Sequence, residues 1–180
     1  MEAARGGELL DLLIVGAGLS GIGAACHLQR ECPDKRYAIV EARETIGGTW
    51  DLFRYPGVRS DSDMYTLGYD FKSWKDAKAI ADGPAILRYI RETADEHGVT
   101  PHIRFGQRVA AADWDSRAAL WRVRLKAAAS GEEHTVEARF LYLCSGYFRY
   151  DRGHRPSFEG EADFRGSIVH PQFWPESLDW

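Results

Sequence analysis

The string Gly16-Ala17-Gly18-Leu19-Ser20-Gly21 constrains this chain more than any other feature. Its pattern, G-x-G-x-x-G, is common in isolation, so its surroundings decide its meaning. It follows an almost wholly apolar run at residues 10–15, which reads as a strand covered on both faces. It opens a helical stretch over residues 19–31, whose small residues Gly23, Ala24 and Ala25 suit close packing on a sheet. Pro33-Asp34 ends that helix, and residues 37–40 read as a second buried strand. Strand, helix and strand within about 30 residues make a βαβ unit, which crosses over right-handed in nearly all proteins.

Glu41 closes the second strand, 20 residues after Gly21. That spacing completes a dinucleotide-binding fingerprint. Each residue type has a physical reason. Gly16 permits the tight turn, Gly18 lets backbone approach a pyrophosphate, and Gly21 lets helix and strand pack closely. Ala17, Leu19 and Ser20 complete the loop and helix start, where unpaired amides and the helix dipole favour negative charge. A carboxylate at position 41 accepts both hydroxyls of an adenosine ribose and repels a 2′-phosphate. The site therefore suits FAD or NAD rather than NADP. The bland rival is a glycine turn in an empty Rossmann-like sheet, with Glu41 merely solvated.

Residues 44–60 hold too many Gly, Arg and Pro for a regular element, and so long a loop in a compact domain is usually functional. A short helix is predicted around residues 61–69. A firmer one runs over residues 84–97. Asp82 or Gly83 caps it, Pro84 takes its first turn, Ile86, Leu87, Ile90 and Ala94 form one apolar stripe, and Gly98 stops it. Residues 103–105 read as a short third strand. Residues 109–114, 120–125 and 135–138 are separated by turns, and Trp121, Val123 and Leu125 alternate with Arg122 and Arg124. That period of two predicts an antiparallel three-stranded meander with one wet face, laid on the parallel sheet. Residues 140–144 then return as a separate buried strand ending in Ser145-Gly146. The expected fold is α/β: a Rossmann-like FAD/NAD(P)-binding domain with a parallel sheet, crossover helices and a three-stranded antiparallel β-meander. Residues 1–9 read as a flexible tail, 10–150 as the domain and 151–180 as a linker.

Composition narrows the partners. A chain of 180 residues suits one domain with a sizeable core, and six Trp, eight Tyr and eight Phe argue against disorder. A net charge of −4 leaves no basic stripe to neutralise a nucleic acid backbone. No apolar run approaches the roughly 18–20 residues that span a bilayer. The N-terminus carries acid where a signal peptide wants base. Cys26, Cys32 and Cys144 form no C-x-x-C pair and are odd in number, as expected of thiols without a role in a reducing cytoplasm. No metal site is expected.

Between FAD and NAD, three features favour the longer cofactor. The meander is an addition that simple NAD dehydrogenases lack. A second glycine pair, Gly47-Gly48, follows just past the ribose acceptor, where an extended cofactor would continue. The run at 140–146 resembles the small-residue strand end that closes over FAD in two-dinucleotide flavoproteins. Further on, Gly47-Gly48-Thr49-Trp50, then Tyr55-Pro56-Gly57, then Asp61 resembles the fingerprint of Baeyer–Villiger (class B) flavoprotein monooxygenases. Phe164-x-Gly166-x-x-x-His170-x-x-x-Trp174-Pro175 resembles their second fingerprint. Related N- and S-oxygenating flavin monooxygenases usually carry Tyr or Phe where Trp174 stands. Residues 53–69 look most like the actinobacterial enzymes that oxidise ketones and thioamides. The resemblance covers residues 10–180 and is to the N-terminal, FAD-binding part of those enzymes.

The resemblance implies a two-stage oxidation. NADPH reduces FAD, the flavin captures O₂ as a flavin (hydro)peroxide, and one oxygen atom passes to a ketone or a sulfur compound. It also assigns roles. Gly16, Gly18 and Gly21 would hold the pyrophosphate, Glu41 the ribose, and Gly48, Thr49 and Trp50 the ribityl chain and flavin. Asp61 matches an active-site acid that orients a catalytic arginine, while Phe164, Gly166, His170 and Trp174 match a linker fingerprint that couples two nucleotide domains. Each has a plainer rival. Trp50 suits ordinary packing, Asp61 and especially Asp63 suit helix caps, and His170 suits a packing histidine. Arg54 and Arg59 stay unassigned. The pattern's second G-x-G-x-x-G, its basic 2′-phosphate site and the catalytic arginine are not found in these residues, so the chain reads as an N-terminal fragment that does not turn over alone. The alternatives are an N- or S-oxygenating flavin monooxygenase and a non-catalytic flavin-binding module.

Overall fold

The computed structural model describes residues 8–179. The tail expected over residues 1–9 lies mostly outside the described residues, and Leu9 already belongs to the first strand. Six strands form one sheet: β1 (Leu9–Val15), β2 (Tyr37–Val40), β3 (Ile103–Arg104), β4 (Gln107–Asp115), β5 (Leu120–Ala127) and β6 (Glu133–Leu143). Their spatial order is β3-β2-β1-β6-β5-β4. The first four in that order run parallel, and β5 and β4 continue antiparallel.

The helices are α1 (Leu19–Glu31), α2 (Thr49–Leu52), α3 (Met64–Leu67) and α4 (Gly83–Glu96). Helix α4 follows its sequence signals. The Asp82 carboxylate accepts from the Ala85 amide at 2.9 Å, Pro84 stands in the first turn, and Gly98 takes φ +62° beyond the end. Asp63 caps α3 in the same way, accepting from the Thr66 amide at 3.0 Å. Residues 44–60 are not wholly irregular, because Thr49–Leu52 makes one helical turn. No helix among the described residues is long and apolar enough to cross a membrane.

Two apolar clusters bind the layers. Ile14, Ile39 and Ile103 of the sheet pack with Ile22 and Ala25 of α1 and with Ile86 and Ile90 of α4. A second cluster joins Leu13 and Val40 to Val123, Leu125, Val136 and Ala138, and the meander joins the parallel strands edge to edge through the pairing of β6 with β1. Gly23 serves a different neighbour from the sheet. A Cβ there would stand 2.8 Å from the ring of Tyr69, which crosses α1 and donates its hydroxyl to the Leu19 carbonyl at 2.7 Å.

The meander's third strand and the returning strand are one strand, not two. Residues 133–138 of β6 pair antiparallel with β5, and residues 137–143 pair parallel with β1. A separate turn is unnecessary because β6 is long enough to serve both partners in succession. Its C-terminal half is also not buried: Phe140 is 62% exposed and Leu143 68%. Phe140 and Tyr142 stand beside Leu12 and Ile14 of β1, but the cluster formed by α1 and α4 reaches β1, β2 and β3 and does not extend across β6.

Candidate functional site

Parallel strands expose their last carbonyls and following loops at one edge, and ligands of such sheets sit where neighbouring strands diverge. Here the carboxyl ends of β1, β2 and β6 meet. The Gly16 amide donates to the Val40 carbonyl at 2.8 Å, and the Cys144 amide donates to the Val15 carbonyl at 2.8 Å. Gly16 takes φ +106°, and a Cβ on it would lie 2.5 Å from the Cys144 carbonyl oxygen. Only glycine fits there. A Cβ on Gly21 would overlap the Gly16 carbonyl oxygen, so this glycine sets the close seat of α1 on β1.

Gly18 differs from both. Its φ is −83°, open to any residue, and a Cβ on it would meet only the Gly48 Cα at an ordinary 3.5 Å. The folded chain does not itself require a glycine at this position. Beside it, α1 begins with no side-chain cap and no acid in its first turn. Helix-start amides without an internal partner, next to backbone that lacks a side chain, suit a phosphate group.

Glu41 is 8% exposed. One of its carboxylate oxygens accepts from the Ala17 amide at 2.8 Å and the other from the Arg43 amide at 3.0 Å. The plain alternative, a merely solvated Glu41, is therefore ruled out. Each oxygen retains acceptor capacity after its one amide bond. The carboxylate also ties the glycine loop to the end of β2, which fixes its position relative to the helix start.

The second glycine pair docks against the first. The Gly47 amide donates to the Ala17 carbonyl at 3.0 Å, and Gly48 faces Gly18 closely enough that a Cβ on it would lie 3.1 Å from the Gly18 Cα. Gly47 and Gly48 take φ +130° and +54°. Thr49 and Trp50 then open α2 and are half-buried, with Trp50 packed on the α1–α4 core. The structure thus brings Gly16, Ala17, Gly18, Leu19, Ser20, Gly21, Glu41, Gly48 and Thr49 to one cleft.

Other expected residues lie on separate segments of the chain. Asp61 is exposed in the segment before α3, and no hydrogen bond or ion pair engages it among the described residues. His170 accepts from the Gln172 amide at 3.2 Å through Nδ1 and caps a single helical turn at Pro171–Phe173. Its ring lies directly on Gly153. Phe164 is 59% exposed and covers Gly166, and Trp174 is half-buried.

The structure also adds residues that no sequence signal marked. Asp51 is 2% exposed and accepts from three guanidinium groups: Arg43, Arg54 at 3.3 Å and Arg91 at 3.1 Å. Arg43 donates as well to the Gly48 carbonyl at 3.3 Å, and Arg91 to the Thr45 hydroxyl at 3.0 Å. This node fixes the glycine loop to α4 and leaves positive charge in excess near the cleft. Its members are up to 48 residues apart and follow no periodicity, so they become a group only in the fold. Tyr150 lies beside them under the Arg43 guanidinium, 5.6 Å from the ring centre. Burial raises its phenol above the usual value, the Glu41 charge adds to the shift, and Arg43 opposes it.

Residues 14–81 match the NAD(P)-binding Rossmann-like domain family. The chain is 55% identical over 173 residues to the FAD-containing monooxygenase EthA of Mycolicibacterium smegmatis, a match covering 96% of this chain and 35% of that protein. It is 47% identical to the probable FAD-binding monooxygenase AlmA of Acinetobacter baylyi, over 95% of this chain and 34% of that one. Among solved structures, a steroid monooxygenase bound to NADP aligns with a TM-score of 0.76 and 32% identity, over 94% of this chain and 32% of its own. A complex of OTEMO with FAD and NADP aligns with a TM-score of 0.75 and 33% identity, over 95% and 31%. The chain spans about a third of the length of these relatives.

Proposed function

We propose that the chain is the FAD-binding part of an NADPH- and O₂-dependent monooxygenase of the Baeyer–Villiger type acting on ketones or sulfur compounds, a reading supported by its 55% identity to an FAD-containing monooxygenase over about a third of that protein's length. The observation that carries this reading is Gly18, a glycine the folded chain does not need, placed between an uncapped helix start and a buried ribose acceptor.

The loop from Gly16 to Gly21 holds the FAD diphosphate against the first amides of α1. The free acceptor positions of Glu41 take the adenosine ribose hydroxyls. Gly48, Thr49 and Trp50 run along the ribityl chain toward the flavin, and the Asp51 node keeps them in place. Bound FAD, once reduced by NADPH, supplies the activation of O₂. Asp61 is assigned the orientation of an arginine beside the flavin. No residue of this chain is assigned to that arginine or to NADPH, so the 180 residues by themselves are expected to bind FAD without oxygenating a substrate. Residues 10–150 act as the FAD-binding unit and 151–180 lead toward an NADPH-binding domain. Its partners are a small-molecule substrate and O₂, with no nucleic acid, and its compartment is the cytoplasm.

Titrating the purified chain with FAD tests the binding claim. Saturable, one-to-one quenching of flavin fluorescence is expected, and no uptake at any FAD concentration would sink the reading. Fusing the chain to the remaining part of the 55% identical relative tests the chemistry. A lactone formed from a cyclic ketone with NADPH supports Baeyer–Villiger oxygenation. A sulfoxide with no lactone indicates the N- or S-oxygenating alternative.

A further inference from the structure

The segment that leaves β6 does not depart from the molecule. Phe148 packs edge-on against Phe53, just beyond α2, with ring centres 4.9 Å apart. Tyr150 lies under the Arg43 guanidinium, and its hydroxyl oxygen is 3.6 Å from the place a Cβ on Gly48 would occupy. Arg43 in turn donates to the Gly48 carbonyl and to Asp51. Two aromatic side chains two residues apart therefore rest against the segment that carries Arg43, Gly48 and Phe53.

The next contacts come from twenty residues further along. The backbone carbonyl between these aromatics, that of Arg149, accepts from the Gln172 side chain at 2.6 Å, and Gln172 is 7% exposed. The His170 ring lies on Gly153 and holds the Gln172 amide through Nδ1. A buried amide donor with one short bond to a loop carbonyl is costly to leave unmade. It commits residues 149–153 to one position. The surrounding residues are mostly exposed, Phe158, Phe164 and Ile168 among them, so little apolar burial would otherwise hold this segment.

We infer that Tyr150 and Gln172 are positioning residues of one strap, in which Gln172 fixes the Arg149 carbonyl and Tyr150 thereby holds Arg43 and Gly48 in the geometry that receives the cofactor. The inference rests on the FAD reading of the cleft. It predicts that docking of residues 147–172 and binding of FAD favour each other, since both draw on the same arrangement of Gly48. Among the described residues the hydrogen bonds of Gln172 go to Arg149 and His170 and not to the glycine loops, so its effect passes through Arg149 and Tyr150.

Three variants of the 180-residue chain test this: Gln172→Met, which keeps volume and removes the donor, Tyr150→Leu, which removes both ring and hydroxyl, and the double variant. Two readouts are used on protein whose circular dichroism confirms a native fold. The first is amide hydrogen exchange at residues 47–50 without cofactor. The second is the FAD dissociation constant. Gln172→Met is expected to raise exchange at 47–50 and to weaken FAD binding between about twofold and tenfold, the range one buried hydrogen bond supplies. The double variant is expected to bind FAD no more weakly than Tyr150→Leu alone. A purely local role for Gln172 would loosen residues 149–153 and leave exchange at 47–50 and FAD affinity at wild-type values, which would overturn the inference. Additive losses in the double variant would also overturn it. A wild-type chain that takes up no FAD overturns the flavin reading instead, and the exchange arm, run without cofactor, still decides whether the strap exists.

Discussion

Gly18 and Gly21 stand three residues apart on one loop yet answer to different neighbours. A methyl group at position 21 meets the Gly16 carbonyl oxygen, which backbone alone can relieve by moving α1 off β1. Gly21→Ala is therefore expected to cost about 3 kcal/mol or more of stability, at the upper end of overpacking. A methyl group at position 18 meets only ordinary contact at φ −83°. Gly18→Ala is expected to leave stability within about 0.5 kcal/mol of wild type. It should nonetheless weaken FAD binding at least about tenfold, roughly 1.4 kcal/mol, by filling the space nearest the diphosphate. Urea denaturation and flavin titration of the two variants check both halves. Loss of stability without loss of affinity at position 18 would remove the main support for a phosphate cradle there.

At the scale of elements, the glycine loop depends on α4 through Asp51. Three guanidinium groups share that carboxylate, but their side chains are 26%, 66% and 47% exposed for Arg43, Arg54 and Arg91. Removing a buried partner usually costs 3–5 kcal/mol because a charge is stranded. Here the arginines can turn to water, so Asp51→Ala is expected to cost less, about 1–3 kcal/mol. The loss should fall on the joint between α2 and α4 rather than on the sheet. Hydrogen exchange should rise at residues 45–52 and stay unchanged in β1 and β2, with FAD affinity reduced. Exchange that rises uniformly would assign Asp51 to global stability and not to this loop. The strands illustrate the same dependence. A parallel partner on one side and an antiparallel partner on the other make β6 the element that joins the Rossmann-like part to the meander.

For the molecule as a whole, a buried thiol and buried phenols of the core shared by α1, α4 and the sheet contribute a response to alkali. Burial pushes the Cys26 thiol from 9.0 up to about 11 and the Tyr37 phenol from 10.0 up to about 12, and it raises Tyr69 still further. In each case the folded state binds the proton more tightly than the unfolded chain. Stability from these groups is then fully present below pH 9 and declines as pH rises, between about 9 and 11 for Cys26 and about 10 and 12 for Tyr37. Thermal melts should be flat from pH 7 to 9 with respect to these groups and fall steeply above it. The part of the tyrosinate absorbance that belongs to Tyr37 and Tyr69, read as the difference from Tyr37→Phe and Tyr69→Phe variants because Tyr65 and Tyr147 are exposed, should appear together with unfolding rather than before it. Ionisation that precedes unfolding would mean these phenols are open to solvent in the native state.

The sequence alone determined the βαβ start, the cap Asp63, a cap at Asp82 or Gly83 that the fold resolves to Asp82, and the loop-and-acid spacing at Gly16, Gly21 and Glu41, because each is a local rule acting over a few residues or one crossover. It could not determine that β6 is a single strand with two partners, or that its end stays exposed at Phe140 and Leu143, since neither pairing nor cover is written in a strand's own pattern. The contact of Tyr150 with Arg43, the bond of Gln172 to Arg149 and the three arginines around Asp51 likewise exist only in the fold. Their side chains are ordinary polar or aromatic residues until distant segments are brought within a few ångströms. Close approach is a property of the packed chain, and it is what turns a glycine-rich turn into a cleft of definite shape.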